Sequence, residues 1–301
     1  MICQKCNFQN EGTAKFCGNC GAELIKQQPK FHKKTKKRNY LWILGGILVI
    51  TISVVLMLFN LTPKIQLPET ITISDGEDYN TCYKYTYDEQ NRITKILVYE
   101  DGNLESIYML YYDAGGDLVK EIEERSGRGT NTKNYAKIGN KIKITETMES
   151  GGYKFDMAGG TINLDNDGYP IKKESGKLPS SGIIETYYFE GGNMTKRSFK
   201  SREEYQERYY CKNDYKYDGN KAMFYYCETP KWYLFAEAPY PISGSINNVI
   251  ESRDSDNEGA DDRFFYKYKY DKAGFPTKIT ETEIEGENKT EIKHIVTYTY
   301  K

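Results

Sequence analysis

"YTYDEQNRITKI", residues 85–96, decides how most of this chain folds. An aromatic and threonine run alternates with period two, an Asp-to-Asn segment interrupts it, and an alternating Ile, Thr and Lys run follows. Alternation rich in β-branched and aromatic residues reads as paired strands. Asp, Asn and Gly supply the backbone angles of tight turns. The phrase returns as "LYYDAGGDLVKEI" (110–122), "INLDNDGYPIKK" (162–173), "YYFEGGNMTKR" (187–197), "YKYDGNK" (215–221) and "YKYDKAGFPTKI" (268–279). Weaker copies are "YAKIGNKIKI" (135–144) and "YPISGSINNVI" (240–250). The residues before the turns are 87, 112, 138, 164, 189, 217, 242 and 270, spaced 25 to 28 apart. One such unit holds two strands of about nine residues and two turns. Residues 80–301 therefore read as a mainly β domain of about sixteen antiparallel strands, an open curved sheet or a barrel-like body.

Strands such as "KNYAKIGNKIKITETME" (133–149) place Lys, Thr and Glu on their faces. A lipid-facing barrel needs a continuous apolar band instead, so a water-facing sheet or barrel is expected. The Tyr-Asp units resemble the tyrosine–aspartate (YD) repeats of RHS-type proteins. More loosely, they resemble the repeated hairpins of bacterial surface lipoproteins. The resemblance covers most of residues 80–301.

Working outward toward the N-terminus, residues 61–79 read as a linker. The stretch "YLWILGGILVITISVVLMLF" (40–59) carries no charge. About 20 apolar residues span a bilayer core as a helix, and residues 40–60 are expected to do so; a buried core helix or a cleaved signal peptide is the competing reading. The basic run "KFHKKTKKR" (30–38), within a linker spanning 26–39, would hold the N-terminus in the cytoplasm and place residues 64–301 outside the cell membrane. The charge splits accordingly, +7 over residues 1–63 and −8 over residues 64–301.

Residues 1–25 carry Cys3, Cys6, Cys17 and Cys20 in a C-x2-C-x10-C-x2-C array. Two such turns can each present two thiolates to one tetrahedral metal, for which Zn2+ is the fitting ion. Gly18 and Gly21 suit the tight knuckle. "CQKCNFQNEGTAKFCGNCGAEL" resembles the short zinc ribbon found at the N-terminus of many bacterial membrane proteins, which implies that all four thiols ligate one structural ion.

Other candidates are weaker. Cys211 and Cys227 flank Gly219 symmetrically and would face each other across a hairpin turning at "DGN" (218–220), where a disulfide could form. Cys82 has no evident mate. "DSDNEG" (254–259) has the start of a calcium loop, but Phe265 stands where the closing Glu belongs, so an acidic loop is expected. Phosphate-binding, zinc-protease, serine-hydrolase and dinucleotide signatures are missing. The leading function is a non-catalytic, membrane-tethered envelope protein binding cell-wall polymer, a glycan or a protein partner, with no nucleic acid expected. The alternatives are a transmembrane sensor whose ribbon recruits a cytoplasmic partner, and a wall hydrolase using two carboxylates.

Overall fold

The computed structural model describes residues 1–25, 65–74, 80–176, 181–203, 206–239, 243–256, 259, 261–285, 288–290 and 295–301. The chain divides into two compact units, Met1–Pro63 and Lys64–Lys301. The second begins with β1 (Pro68–Ser74), β2 (Asn80–Tyr87), β3 (Ile93–Glu100) and β4 (Asn103–Tyr112). It continues through β5 (Leu118–Arg125), β6 (Gly129–Ile138), β7 (Lys141–Ser150), β8 (Tyr153–Leu164) and β9 (Pro170–Ser175). Then come β10 (Gly182–Glu190), β11 (Asn193–Glu203) and β12 (Gln206–Lys221). A short helix, α1 (Lys231–Ala236), precedes β13 (Asn247–Asp256), β14 (Asp261–Tyr270), β15 (Pro276–Glu285), β16 (Asn288–Thr290) and β17 (Ile295–Tyr300).

Each strand from β1 to β15 pairs antiparallel with the next, and β16 and β17 lie end to end beside β15. β17 then returns to β1, where Ile71 faces Tyr298 on one side and Tyr83 of β2 on the other. Among the described residues this is a closed ring of sixteen strand positions. The open curved sheet is thereby corrected: closure removes the unpaired edges that an open sheet would expose.

Turn chemistry builds the ring. Asp88, Asp113, Asp165 and Asp271 each accept, through Oδ1, the N–H groups two and four residues ahead, at 2.8–3.0 Å. The third residue ahead takes positive φ: Asn91 (63°), Gly116 (88°), Gly168 (82°) and Gly274 (84°). A register shift stands beside each of these turns, at Thr86/Tyr87, Tyr111/Tyr112, Asn163/Leu164 and Lys269/Tyr270. Such bulges free backbone groups that need partners, and tyrosine hydroxyls supply several. Tyr87 donates to the Pro68 carbonyl (2.8 Å), Tyr112 to Ile93 (2.8 Å), Tyr268 to Val249 (2.7 Å) and Tyr300 to Pro276 (2.6 Å). Every acceptor lies at or near the start of the preceding strand. The repeated Tyr is thus a latch between neighbours, which accounts for its frequency.

The expected turn positions 87, 112, 138, 164 and 270 are the last residues of β2, β4, β6, β8 and β14. Two expectations fail. The copy at 240–250 is no hairpin; the eighth seam is the β17–β1 closure. "DGN" (218–220) is no turn either, because β12 runs on to Lys221. Cys211 therefore faces Phe199 and Asp256 on neighbouring strands, whereas Cys227 is buried beyond the end of β12, and neither of them, nor Cys82, is in a disulfide.

Residues 222–239 and 243–246, between β12 and β13, turn back into the barrel as a plug. Eight strands make a barrel that side chains alone can fill; sixteen leave a wide interior. The plug fills part of it. Phe224 packs edge-on to Tyr85 (5.4 Å between ring centres), and Trp232 edge-on to Tyr135 (5.0 Å). Ile93, Ile96, Leu110, Ile142 and Ile162 join them in one apolar core with Tyr233 and Leu234. α1 has six residues, too few to hold a helix in water by itself, so this packing maintains it.

The outer face follows by alternation. With Tyr85, Ile96, Glu121, Ile144, Arg197 and Ile279 inward, Lys84, Lys95, Lys120, Lys143, Lys196 and Lys278 point outward.

The membrane architecture read from the sequence is also corrected. The apolar stretch 40–60 lies outside the described residues, and among these no helix is long and apolar enough to cross a membrane. A single-pass integral protein, with a cytoplasmic N-terminus and one helix presenting the β domain, is replaced by a closed barrel. The shell of YD repeats is likewise replaced by one ring joined end to end.

Candidate functional site: the thiol cluster and the barrel lumen

In the first unit, the Sγ atoms of Cys3, Cys6, Cys17 and Cys20 all lie within 4.8 Å of one another. Cys3 approaches Cys20 at 3.6 Å and Cys6 approaches Cys17 at 3.5 Å. A tetrahedron with metal–sulfur bonds of about 2.3 Å has edges of about 3.8 Å, so the four thiols can hold one metal ion. Two knuckles of the same design present them. The Asn7 N–H bonds the Cys3 carbonyl (2.8 Å) and the Gly21 N–H bonds the Cys17 carbonyl (2.9 Å). The positive φ falls on Asn7 (54°) and Gly21 (65°), not on Gly18. Gly18 instead donates its N–H to Asn10 Oδ1 (2.9 Å), and the Asn10 amide reaches Cys17 Sγ.

Electrostatics within the cluster are unequal. The Lys5 N–H, aided by that of Cys6, lowers the Cys3 thiol. Burial works against the Cys17 thiolate, yet the Asn19 N–H and the Asn10 amide draw it down to about 6. At Cys20 the Ala22 N–H favours the thiolate, but the Cys6 sulfur and burial hold its proton, up to about 12. Four thiolates this close repel one another, and a bound cation removes the conflict.

The lumen holds a second concentration of chemistry. Glu237, just past α1, is gripped by Lys133 of β6 and Lys173 of β9, each at 2.8 Å. Lys173 also donates to the Ala236 carbonyl (2.8 Å). Tyr233 of α1 donates to Glu121 of β5 (2.5 Å), and Arg197 of β11 and Tyr187 of β10 both hold Glu185 (2.9 Å each). Burial opposes ionisation of Glu237, but the two lysines outweigh it and lower its carboxyl below the usual range. At Glu121 burial prevails over Lys133 and the Tyr233 hydroxyl, and the carboxyl is pushed up to about 7. These carboxylates are occupied by cations and phenols that tie plug to wall, an arrangement suited to retention of the plug.

Across the lumen the plug stands away from the wall. A cavity of about 170 Å3 lies there, lined by β12, β13, β14, β15 and β17 with Ala222, Met223 and Ser243 of the plug. The sequence reading contained neither lumen region. Lys133 and Glu185 gave a faint signal: each is a charge two residues from a buried tyrosine, Tyr135 and Tyr187. The plug gave a clearer one, since "TPKWYLFAEAPYP" (229–241) breaks the Asp/Gly turn grammar with prolines around an apolar centre.

No protein family and no characterised protein matches the chain in sequence. Solved structures are similar in fold outline. One is a porin-like protein from Bacteroides vulgatus ATCC 8482, with a TM-score of 0.41 and 12% identity over 79% of this chain and 99% of that one. Another is a porin-like protein from Bacteroides uniformis ATCC 8492, with a TM-score of 0.36 and 14% identity over 78% and 96%.

Proposed function

We propose a non-catalytic binding protein of the cell envelope, whose barrel engages an anionic cell-wall polymer along its outer wall. The observation that carries this reading is the Lys–Tyr pairing on that wall. Lys84 sits over the Tyr99 ring at 4.9 Å, Lys196 over Tyr188 at 5.3 Å and Lys120 over Tyr111 at 5.6 Å. Such pairs offer a cation and a flat ring side by side, fitting an anionic polymer that carries sugar rings. The occupied luminal carboxylates weigh against hydrolysis. Within the first unit, Cys3, Cys6, Cys17 and Cys20 hold one structural Zn2+. Four protein ligands leave no open position for chemistry, and the metal supplies the stability that so short a segment lacks.

Co-sedimentation of the full-length chain with isolated cell walls tests the binding. Saturable binding that weakens with salt and drops at least tenfold in Lys84→Ala/Lys120→Ala/Lys196→Ala is expected. Absence of wall binding, or equal binding by the triple variant, overturns it.

A further inference from the structure

The cavity between the plug and the β12–β17 wall is a site of another kind, independent of wall binding. We propose that it takes a small uncharged ring compound bearing one hydrogen-bonding group, of the phenol class. Size is the first argument. An apolar cavity of about 150 Å3 accepts benzene, and this one measures about 170 Å3.

Its lining is the second argument. Met223, Val249, Ile279 and Val296 give apolar contact, and Tyr215, Tyr266 and Tyr268 offer ring edges and faces, the geometry in which aromatic rings pair. None of the lining residues is Asp, Glu, Lys or Arg. A charged ligand would lose its water without gaining a partner there. The charged groups that bind the plug lie across the lumen and are matched to one another.

The third argument is a polar group with no protein partner among the described residues. The Tyr268 hydroxyl is occupied by the Val249 carbonyl. Tyr215 lines the same cavity, and its hydroxyl makes no hydrogen bond among the described residues; burial pushes it well above the usual phenol range. A ligand hydroxyl beside it would complete it. The site is thus apolar over most of its lining, with Ser243, Asn247, Asn248 and the tyrosine hydroxyls as its polar points, the usual composition of a small-molecule pocket.

Calorimetric titration of the full-length chain with phenol, with benzene and with benzoate tests this. Phenol is expected to bind with one-to-one stoichiometry, and benzoate at least tenfold more weakly. Tyr215→Phe should weaken phenol about tenfold while leaving benzene unchanged. Val296→Phe, which fills the cavity, should abolish both, with circular dichroism confirming the strand content. No phenol binding at millimolar concentration, equal binding of benzoate, or undiminished binding by a folded Val296→Phe chain would overturn the proposal. Should Val296→Phe fail to fold, Tyr215→Phe decides alone: equal phenol affinity in that variant refutes the site.

Discussion

On the β5–β11 side of the lumen, Lys133 and Lys173 close on Glu237 and draw the end of α1 against the wall. On the β12–β17 side, the same plug stands off behind Tyr215, Tyr266 and Tyr268 and leaves about 170 Å3 empty of protein. A ring of sixteen positions is too wide for its own side chains to fill, and one inserted loop fills only the side it leans on. Charge does the fastening because an ionic contact, once desolvated, tolerates no slack: a buried cation left without its partner costs about 3–5 kcal/mol. One side of the lumen thus fixes the plug and the other keeps free volume.

The sharpest way to break this contrast is Glu237→Ala. It leaves Lys133 and Lys173 only their longer ion pairs, to Glu121 (3.8 Å) and Glu185 (3.6 Å), and should cost about 3 kcal/mol in urea unfolding. Trp232→Ala, which empties the apolar contact with Tyr135 on the same side, is expected to cost a similar amount, about 3–5 kcal/mol. The pH dependence sharpens the comparison further. Glu121 has its carboxyl raised in the folded state, to about 7. Its contribution is fully present below the unfolded value of 4.5 and is lost as pH rises through about 7. Glu121→Gln should flatten that decline between about pH 4.5 and 7, read from denaturant midpoints. If the decline persists unchanged, Glu121 is not the titrating group. Latch removal is milder: Tyr268→Phe, on the cavity side, leaves the Val249 carbonyl without its donor and should cost about 1–2 kcal/mol. Smallest of all, Lys84→Ala on the outer wall should shift stability by less than about 0.5 kcal/mol. A large effect there would mean that the wall lysines serve the fold rather than a partner.

The two kinds of region were not equally legible in the sequence. Asp88, Asp113, Asp165 and Asp271 build their turns from atoms within four residues, so a local phrase reveals them. The cysteine array is local in the same sense. Glu237 and Lys133 are 104 residues apart, and nothing in either neighbourhood names the other. The β6–β7 hairpin shows the difficulty: the charges of residues 133–149 suggest two wet faces, yet Lys133 and Glu146 turn inward, Glu146 accepting from Asn131 at 2.7 Å. Alternation tells which residues share a face. It does not tell which face is the lumen once both carry charge. The plug broke the repeat, and a search for repeats counted its C-terminal part as a weak copy.

Closure of the ring carries a consequence for how the chain is made. Thr70 of β1 and Thr299 of β17 share a hydrogen bond at 2.6 Å across 229 residues. Synthesis proceeds at roughly 5–20 residues per second, so β1 waits on the order of ten seconds or more for its second neighbour. During that interval the growing sheet has a free edge at each end, and the most distant pairing must form last, the slow step expected of long-range strand contacts. A nascent barrel of this design depends on its outward lysines, spaced along the unclosed strands, to keep one unfinished sheet from joining another.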